Sequence, residues 1–141
     1  MLRISEEVAI YPAHRFALAQ PRGAVTGDTV VEYGQMMAYH PEWEPGFTEV
    51  WDVSYCPSVD IVPTDISAFK RLETETKELL QGSRTIIIAS RPAVQFAAKY
   101  YARLMQAFGR DVVSATSQAE AAGLLGIDAL PILSEGTEDG A

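Results

Sequence analysis

Hydrophobic residues along the chain form short runs that alternate with longer stretches of helical spacing. The short runs are rich in Val, Ile and other strand-forming residues, and they occupy residues 8–11, 48–53, 84–89 and 111–116. A further run spans residues 16–25, and we expect it to pair with residues 8–11 in antiparallel fashion. Pro21 lies within this run and favours an edge position or a bulge. The pattern therefore predicts five strands.

Four stretches carry apolar residues at helical spacing and have capping or breaking residues at their ends. They span residues 29–40, 63–82, 90–109 and 117–126. The expected N-caps are Thr29, Ser90 and Ser117, and a glutamate follows the first and the last of these by three residues, as in a capping box. Pro41 ends the first helix, and glycines end the others.

The order of elements is β-β-α-β-α-β-α-β-α, which predicts an α/β fold. We expect a five-stranded, mostly parallel sheet with an antiparallel edge pair, flanked by four helices. Residues 86–89 are apolar on both faces, which is typical of a buried parallel strand. A chain of 141 residues fits one domain, expected over residues 1–126. Residues 127–141 are rich in acids and are expected to form a flexible tail.

Charge and hydropathy exclude several classes of partner. The chain has 11 Lys and Arg against 19 Asp and Glu, a net charge of −8, and no basic run that could follow a phosphate backbone. We therefore expect binding to neither nucleic acid nor an anionic membrane surface. No apolar run approaches the roughly 18 residues of a membrane span, and the first residues do not form a signal peptide. The expected location is the cytoplasm.

The pattern resembles the STAS-like domains (sulfate transporter and anti-sigma-factor antagonist), and among them the small SpoIIAA-like bacterial proteins. The resemblance covers roughly residues 3–126. The segments that carry it are the strands at residues 50–53 and 84–89, the helix at residues 96–101 and the stretch at residues 117–126.

This resemblance implies a STAS-like fold and a non-enzymatic domain that binds a protein or a small ligand. In anti-sigma-factor antagonists, a serine in an Asp-Ser-Ser-Gly-like segment at the start of the second helix is phosphorylated by the partner kinase. Residues 63–66 of this chain match that place, and Thr64 supplies a hydroxyl there, although the motif itself is absent.

Candidate binding residues lie after the predicted strands, because ligands of open α/β sheets bind beyond the carboxyl ends of the strands. They are Asp52, Ser54, Ser58, Thr64, Ser90 and Arg91. Asp52 would accept hydrogen bonds from a ligand or else cap a nearby turn. Arg91 and Ser90 would hold an anion at the start of the third helix. Alternatively, Ser90 only caps that helix and Arg91 points into water.

No catalytic or metal-binding constellation can be named from the sequence. His14 and His40 lack other ligands at metal-binding spacing, and no residue spacing supports a triad of Ser54, Asp52 and one of the histidines. Cys56 is the only cysteine, and we interpret it as a partly buried structural thiol. No phosphate-binding glycine loop is present either. The sequence thus predicts neither an enzyme nor a cofactor.

Phe96 and Tyr100 form a second apolar stripe on the third helix, which indicates a further contact surface. It would face either the loop at residues 43–47 or a second subunit, so a homodimer is one expectation. The functional hypothesis is a regulatory or protein-interaction module whose protein partner docks on the loop after the third strand and on the start of the second helix. The alternatives are a domain that binds a small molecule or anion near Asp52, Ser90 and Arg91, and a small enzyme.

Overall fold

The computed structural model describes residues 7–133. Its strands are β1 (Val8–Tyr11), β2 (Phe16–Ala19), β3 (Val25–Thr26), β4 (Thr48–Asp52), β5 (Val59–Asp60), β6 (Arg84–Ile88) and β7 (Asp111–Ala115). Its α-helices are α1 (Gly27–Ala38), α2 (Ile66–Thr76), α3 (Pro92–Ala107) and α4 (Gln118–Leu125).

Five strands form the main sheet, in the order β1-β2-β4-β6-β7. Strands β1 and β2 are antiparallel, and every other neighbouring pair is parallel. The predicted α/β fold, with its mixed five-stranded sheet and four helices, is confirmed. Because β2, β4, β6 and β7 follow one another in both sequence and space, the parallel strand order never reverses.

Each face of the sheet has its own apolar core. On one face, Trp51 and Ile87 pack against α1, α2 and α3, within a cluster that includes Tyr33, Phe69 and Ala98. On the other face, the alternate positions of the same strands pack against α4 and the segment after it, in a cluster built on Phe16, Leu18, Val50, Ile86, Ile88, Ala115, Ala121 and Leu130. The alternation of side chains along a strand assigns them to these two faces.

Residues 127–133, placed in the expected tail, pack on this second face. Leu130 is buried, and Ile127 and Leu133 contact the same cluster. The amide of Gln20 ties the segment to the sheet, because its Nε2 donates to the Pro131 carbonyl and its Oε1 accepts from the Leu133 N–H, each over 2.7 Å. The domain therefore extends past residue 126 to at least Leu133. The rest of the expected tail, residues 134–141, lies outside the described residues.

Several element boundaries differ from the expected ones. Helix α1 begins at Gly27 rather than after Thr29, since Thr26 is the N-cap and forms the capping box with Thr29. A 3-10 turn over Pro63–Asp65 precedes α2, which ends at Thr76, short of Gly82. Strand β2 ends at Ala19, so Pro21 lies beyond it.

The pattern of the sequence does not predict the short parallel pair of β3 with β5. At α4 the expectation is confirmed, because the Ser117 hydroxyl accepts from the Glu120 N–H over 3.0 Å and Gly126 ends the helix with φ +75°. No helix among residues 7–133 combines the length and apolar character needed to cross a membrane.

Candidate functional site

Asp52, the first expected site residue, is fully buried at the carboxyl end of β4. Its Oδ2 accepts hydrogen bonds from Nε2 of Gln20 over 3.1 Å and from Nε2 of Gln118 over 2.7 Å. Its Oδ1 accepts from the Ser54 N–H over 3.1 Å. These donors hold the carboxylate inside the protein, where charge requires such partners. Asp52 thus links β2, β4 and α4, and presents no surface to a ligand.

Tyr55 extends this network to the surface. The Gln118 amide also bonds the Tyr55 hydroxyl over 3.0 Å, and the guanidinium of Arg22 stacks on the Tyr55 ring at 4.0 Å from its centroid. Nε and Nη2 of Arg22 are shielded from solvent and have no hydrogen-bond partner in the described part of the chain. Among residues 7–133, the arginine is thus held by its ring contact rather than by an ion pair.

The other expected site residues are dispersed. The Ser58 hydroxyl donates to the Asp60 carboxylate over 2.9 Å, and Thr64 is exposed in the 3-10 turn before α2. Ser90 and Arg91 are exposed before α3, so they form no common surface with the buried Asp52.

The predicted cap at Ser90 is wrong, because Arg91 occupies the N-cap position, without a side-chain hydrogen bond. Instead, the Gln95 side-chain amide donates to the carbonyls of Ala89 and Ser90 over 3.1 and 3.2 Å. Ligands of open α/β sheets bind in the crevice that forms where the strand order reverses. The parallel strands here follow one another without reversal, so this edge of the sheet has no such crevice.

Cys56 is fully buried, and its thiol donates to the Pro21 carbonyl over 3.1 Å. Burial, with Asp52 nearby, raises the pKa of this thiol to about 12. A thiol in this state is not a nucleophile at neutral pH, because the reactive species is the thiolate. The interpretation of Cys56 as a structural residue is therefore supported, and its burial is complete rather than partial.

The expected second stripe on the third helix is exposed. Phe96 is 79% and Tyr100 is 44% exposed, and both line an open hollow of about 370 Å³ with Ile61, Pro63 and Ala97. The loop at residues 43–47 does not cover them. Trp43 is buried elsewhere and donates from its indole Nε1 to the Leu79 carbonyl over 2.8 Å.

An apolar cavity adjoins this hollow, and Ile61 lines both. The cavity measures about 30 Å³, and its walls are purely apolar, with Trp51, Val53, Ile87 and Tyr101 among them. A space of this size accommodates little more than one small apolar group. The hollow thus has an apolar recess next to its wall at Ile61.

Two basic residues lie beside the exposed rings, although the chain as a whole is acidic. Residues 79–110 contain five of the 11 basic residues, Arg84, Arg91, Lys99, Arg103 and Arg110, and none of the 19 acidic ones. Lys99 and Arg103 are exposed and lie on the same face of α3 as Phe96 and Tyr100, at spacings of three and four residues. The sequence alone shows this charge segregation.

We define the α3 surface as Phe96, Lys99, Tyr100 and Arg103 together with Ile61 and Pro63. It combines exposed aromatic rings, an apolar recess and positive charge. Within residues 7–133, His, Cys, Asp and Glu side chains do not gather into any group of three or more that would hold a metal ion. Comparison of the chain with protein-family models, curated proteins and solved structures finds no match.

Proposed function

We propose that this chain is a non-catalytic, cytoplasmic interaction module of STAS-like type. In this proposal, the α3 surface binds an acidic segment of a partner protein, and an apolar side chain of that segment enters the hollow beside Phe96. The observation that carries the proposal is the exposure of Phe96, 79%, in a protein whose other phenylalanines in residues 7–133 are at least partly buried.

Aromatic rings next to a recess are typical of binding hot spots. Interfaces draw most of their binding energy from a few such residues, which cluster around small pockets. Ile61, Pro63 and Ala97 form the walls of a pocket of this kind next to the two rings. Ile61 and Pro63 come shortly before α2, so the α3 surface overlaps the docking place that the sequence suggests.

The charge of the α3 surface favours an acidic partner over a second copy of the chain. In a symmetric dimer through this surface, Lys99 and Arg103 of one copy would lie against the same residues of the other. Like charges that meet at an interface oppose association, whereas acidic residues of a partner would complement them. A homodimer through this surface is therefore the competing outcome of the test.

The test is a selection of peptides from a random library displayed on phage, followed by titration of the best peptide. We expect selected peptides to combine Asp or Glu with an aromatic residue or leucine. Phe96→Ala should weaken the selected peptide about 30-fold, the equivalent of roughly 2 kcal/mol for one anchor residue. The double variant Lys99→Gln/Arg103→Gln should also bind more weakly, with a shallower salt dependence.

Two matched controls separate this surface from general effects. Leu124→Ala removes an exposed apolar side chain from α4, on the other side of the sheet. Lys70→Gln/Lys77→Gln removes two exposed positive charges, one from α2 and one from the residue after it. Both should leave peptide binding nearly unchanged. The proposal would be contradicted if the selected peptides lacked acidic residues. It would also be contradicted if Phe96→Ala left the affinity for the peptide unchanged. So would a dimer, seen by sedimentation, that Phe96→Ser dissociates.

A further inference from the structure

A second depression, separate from the α3 surface, lies at the opposite end of helices α2 and α3. It has a volume of about 690 Å³ and opens between the C-terminal half of α2 and the turn that joins α3 to β7. Lys70, Glu73 and Lys77 line it from α2 and the residue after it, and Phe108 and Arg110 line it from the turn. Its volume matches that of small-molecule sites. We call it the Arg110 cleft.

Arg110 is a buried cation with spare donors. Its side chain is 10% exposed, and Nη1 donates to Oε2 of Glu73 over 3.1 Å while Nη2 donates to Oγ1 of Thr85 over 2.7 Å. Its Nε is shielded from solvent and has no hydrogen-bond partner among residues 7–133. A guanidinium carries five N–H donors, so the two bonds leave most of its donors unused. Because the Nε is shielded, a ligand in the cleft could reach only the second N–H groups of Nη1 and Nη2.

Two lysines extend the positive charge along the cleft. Lys70 and Lys77 are exposed and lie seven residues apart, which places them on one side of the helix about 10 Å from each other. The acidic residues that line the cleft are Glu73 and Asp111, and the basic ones are these two lysines and Arg110. The side chains that line the cleft therefore carry one more positive than negative charge, and buried Glu49, which also interacts electrostatically with Arg110, does not line it.

We propose that the Arg110 cleft binds a small anion with two or more phosphate or carboxylate groups. Lys70 and Lys77 each contact one group, and the guanidinium of Arg110 contributes the second N–H of Nη1 or Nη2. Lysines bind such groups as point charges, and the guanidinium adds directional hydrogen bonds. No residue of the α3 surface lines this cleft, so the two proposals stand independently.

Isothermal titration calorimetry at low salt tests this inference with two probes, inorganic tripolyphosphate and citrate. We expect at least one of them to bind, and the stronger probe identifies the anionic group. Lys70→Gln/Lys77→Gln should weaken that binding by about tenfold or more, a change of roughly 1.4 kcal/mol. Both lysines are exposed, Lys70 on α2 and Lys77 directly after it, so Lys70→Gln/Lys77→Gln should keep its circular dichroism spectrum and its unfolding midpoint.

The control is Lys99→Gln/Arg103→Gln, which changes the net charge from −8 to −10 just as the test variant does. It should retain the affinity of the original protein within about twofold, apart from weak long-range screening effects. An equal loss of affinity in both variants would show that the anion responds only to overall charge, and this would overturn the inference. Failure of both probes to bind would overturn it as well.

Discussion

The amide of Gln20 donates to the carboxylate of Asp52 over 3.1 Å, and both side chains are fully buried. Gln20 follows β2 and Asp52 ends β4, so the bond joins the carboxyl ends of neighbouring strands. The same amide holds Pro131 and Leu133. An aspartate that the sequence suggests as a ligand-binding residue is thus part of a structural link between the sheet and the segment that follows α4.

Asp52→Asn should destabilise the fold. The carboxylate accepts from Gln20, Gln118 and the Ser54 N–H, whereas an asparagine would turn an NH₂ group toward some of these donors. We expect the free energy of unfolding to fall by about 2 kcal/mol, since donors in a buried site would lose their acceptor. Urea denaturation followed by circular dichroism measures this.

Ser54→Ala is the matched control for Asp52→Asn. Ser54 contributes only its backbone N–H to the bond with Asp52, and alanine keeps that group. Its free energy of unfolding should stay within about 0.5 kcal/mol of that of the original chain. If Asp52→Asn were as stable as the original chain, the hydrogen bonds to the Asp52 carboxylate would contribute nothing to stability beyond what an amide provides.

The strands and helices could be predicted because their signal is local. Apolar runs and helical spacing identify the five strands and four helices, and the order of elements then restricts the topology. The first residue of a helix is harder to predict from sequence. Thr26 and Thr29 carry the same hydroxyl group, so either could be the N-cap of α1. The glutamate three residues after Thr29 favoured the wrong one of the two, and the structure instead pairs the two threonines with each other.

The site could be predicted only in part, because its roles depend on contacts distant in sequence. Gln20 and Gln118 lie 32 and 66 residues from Asp52, and no local pattern connects them to it. The second stripe of Phe96 and Tyr100 is predictable, since its spacing is local. Whether a loop covers them depends on the path of the chain at residues 43–47, which the spacing does not encode.

Burial of Cys56 should make the protein lose stability in alkaline solution. The pKa of the thiol is about 12 in the folded chain against an ordinary value of 9.0, so the folded protein retains a proton that the unfolded chain loses. The contribution of the protonated Cys56 thiol to the free energy of unfolding is therefore complete below about pH 9. It is lost as the pH rises toward 12. Burial also raises the pKa of Tyr33 and Tyr101, which act in the same direction.

Cys56→Ala isolates the contribution of the thiol to this loss. One proton of difference corresponds to a slope of about 1.4 kcal/mol per pH unit, and the variant should lose stability less steeply by up to this amount above about pH 9. Urea denaturation over an alkaline pH series gives both slopes. Identical slopes would mean that the thiol ionises equally in the folded and unfolded states.

The ion pair of Arg110 with Glu73 predicts a strong asymmetry between single and double substitutions. Arg110→Met leaves the Glu73 carboxylate without its partner at a site where the side chain is 14% exposed, and buried Glu49 also loses a nearby positive charge. Breaking one side of a buried pair typically costs about 3–5 kcal/mol. We expect a loss in the free energy of unfolding at the lower end of that range.

Arg110→Met/Glu73→Gln should recover a large part of this loss, because it removes the uncompensated carboxylate too. Burial raises the pKa of Glu73, so a low pH, where the carboxylate takes up a proton, should also narrow the gap between Arg110→Met and the original chain. The measurement is urea denaturation of the original chain and both variants at neutral and acidic pH. If the double variant were no more stable than Arg110→Met, the unpaired Glu73 carboxylate would not account for the loss in the free energy of unfolding.

Gly34 allows α1 and α2 to pack closely, and its replacement tests that contact. A Cβ at this position would lie 2.9 Å from Cδ2 of Leu72. Alanine raises helix propensity by about 1 kcal/mol, but overpacking a core costs about 1–3 kcal/mol. We therefore expect Gly34→Ala to lower the free energy of unfolding by about 1 kcal/mol.

Gly123→Ala supplies the control, because Gly123 also lies within a helix, α4, and its Cβ would meet nothing within 4 Å. There the gain in helix propensity is unopposed, and stability should rise by about 0.5–1 kcal/mol. The opposite signs of the two glycine-to-alanine changes are the prediction, and thermal and urea denaturation of both variants measure them. If both variants gained stability, Leu72 would have room to move, and the spacing of α1 and α2 would not depend on the missing side chain at residue 34.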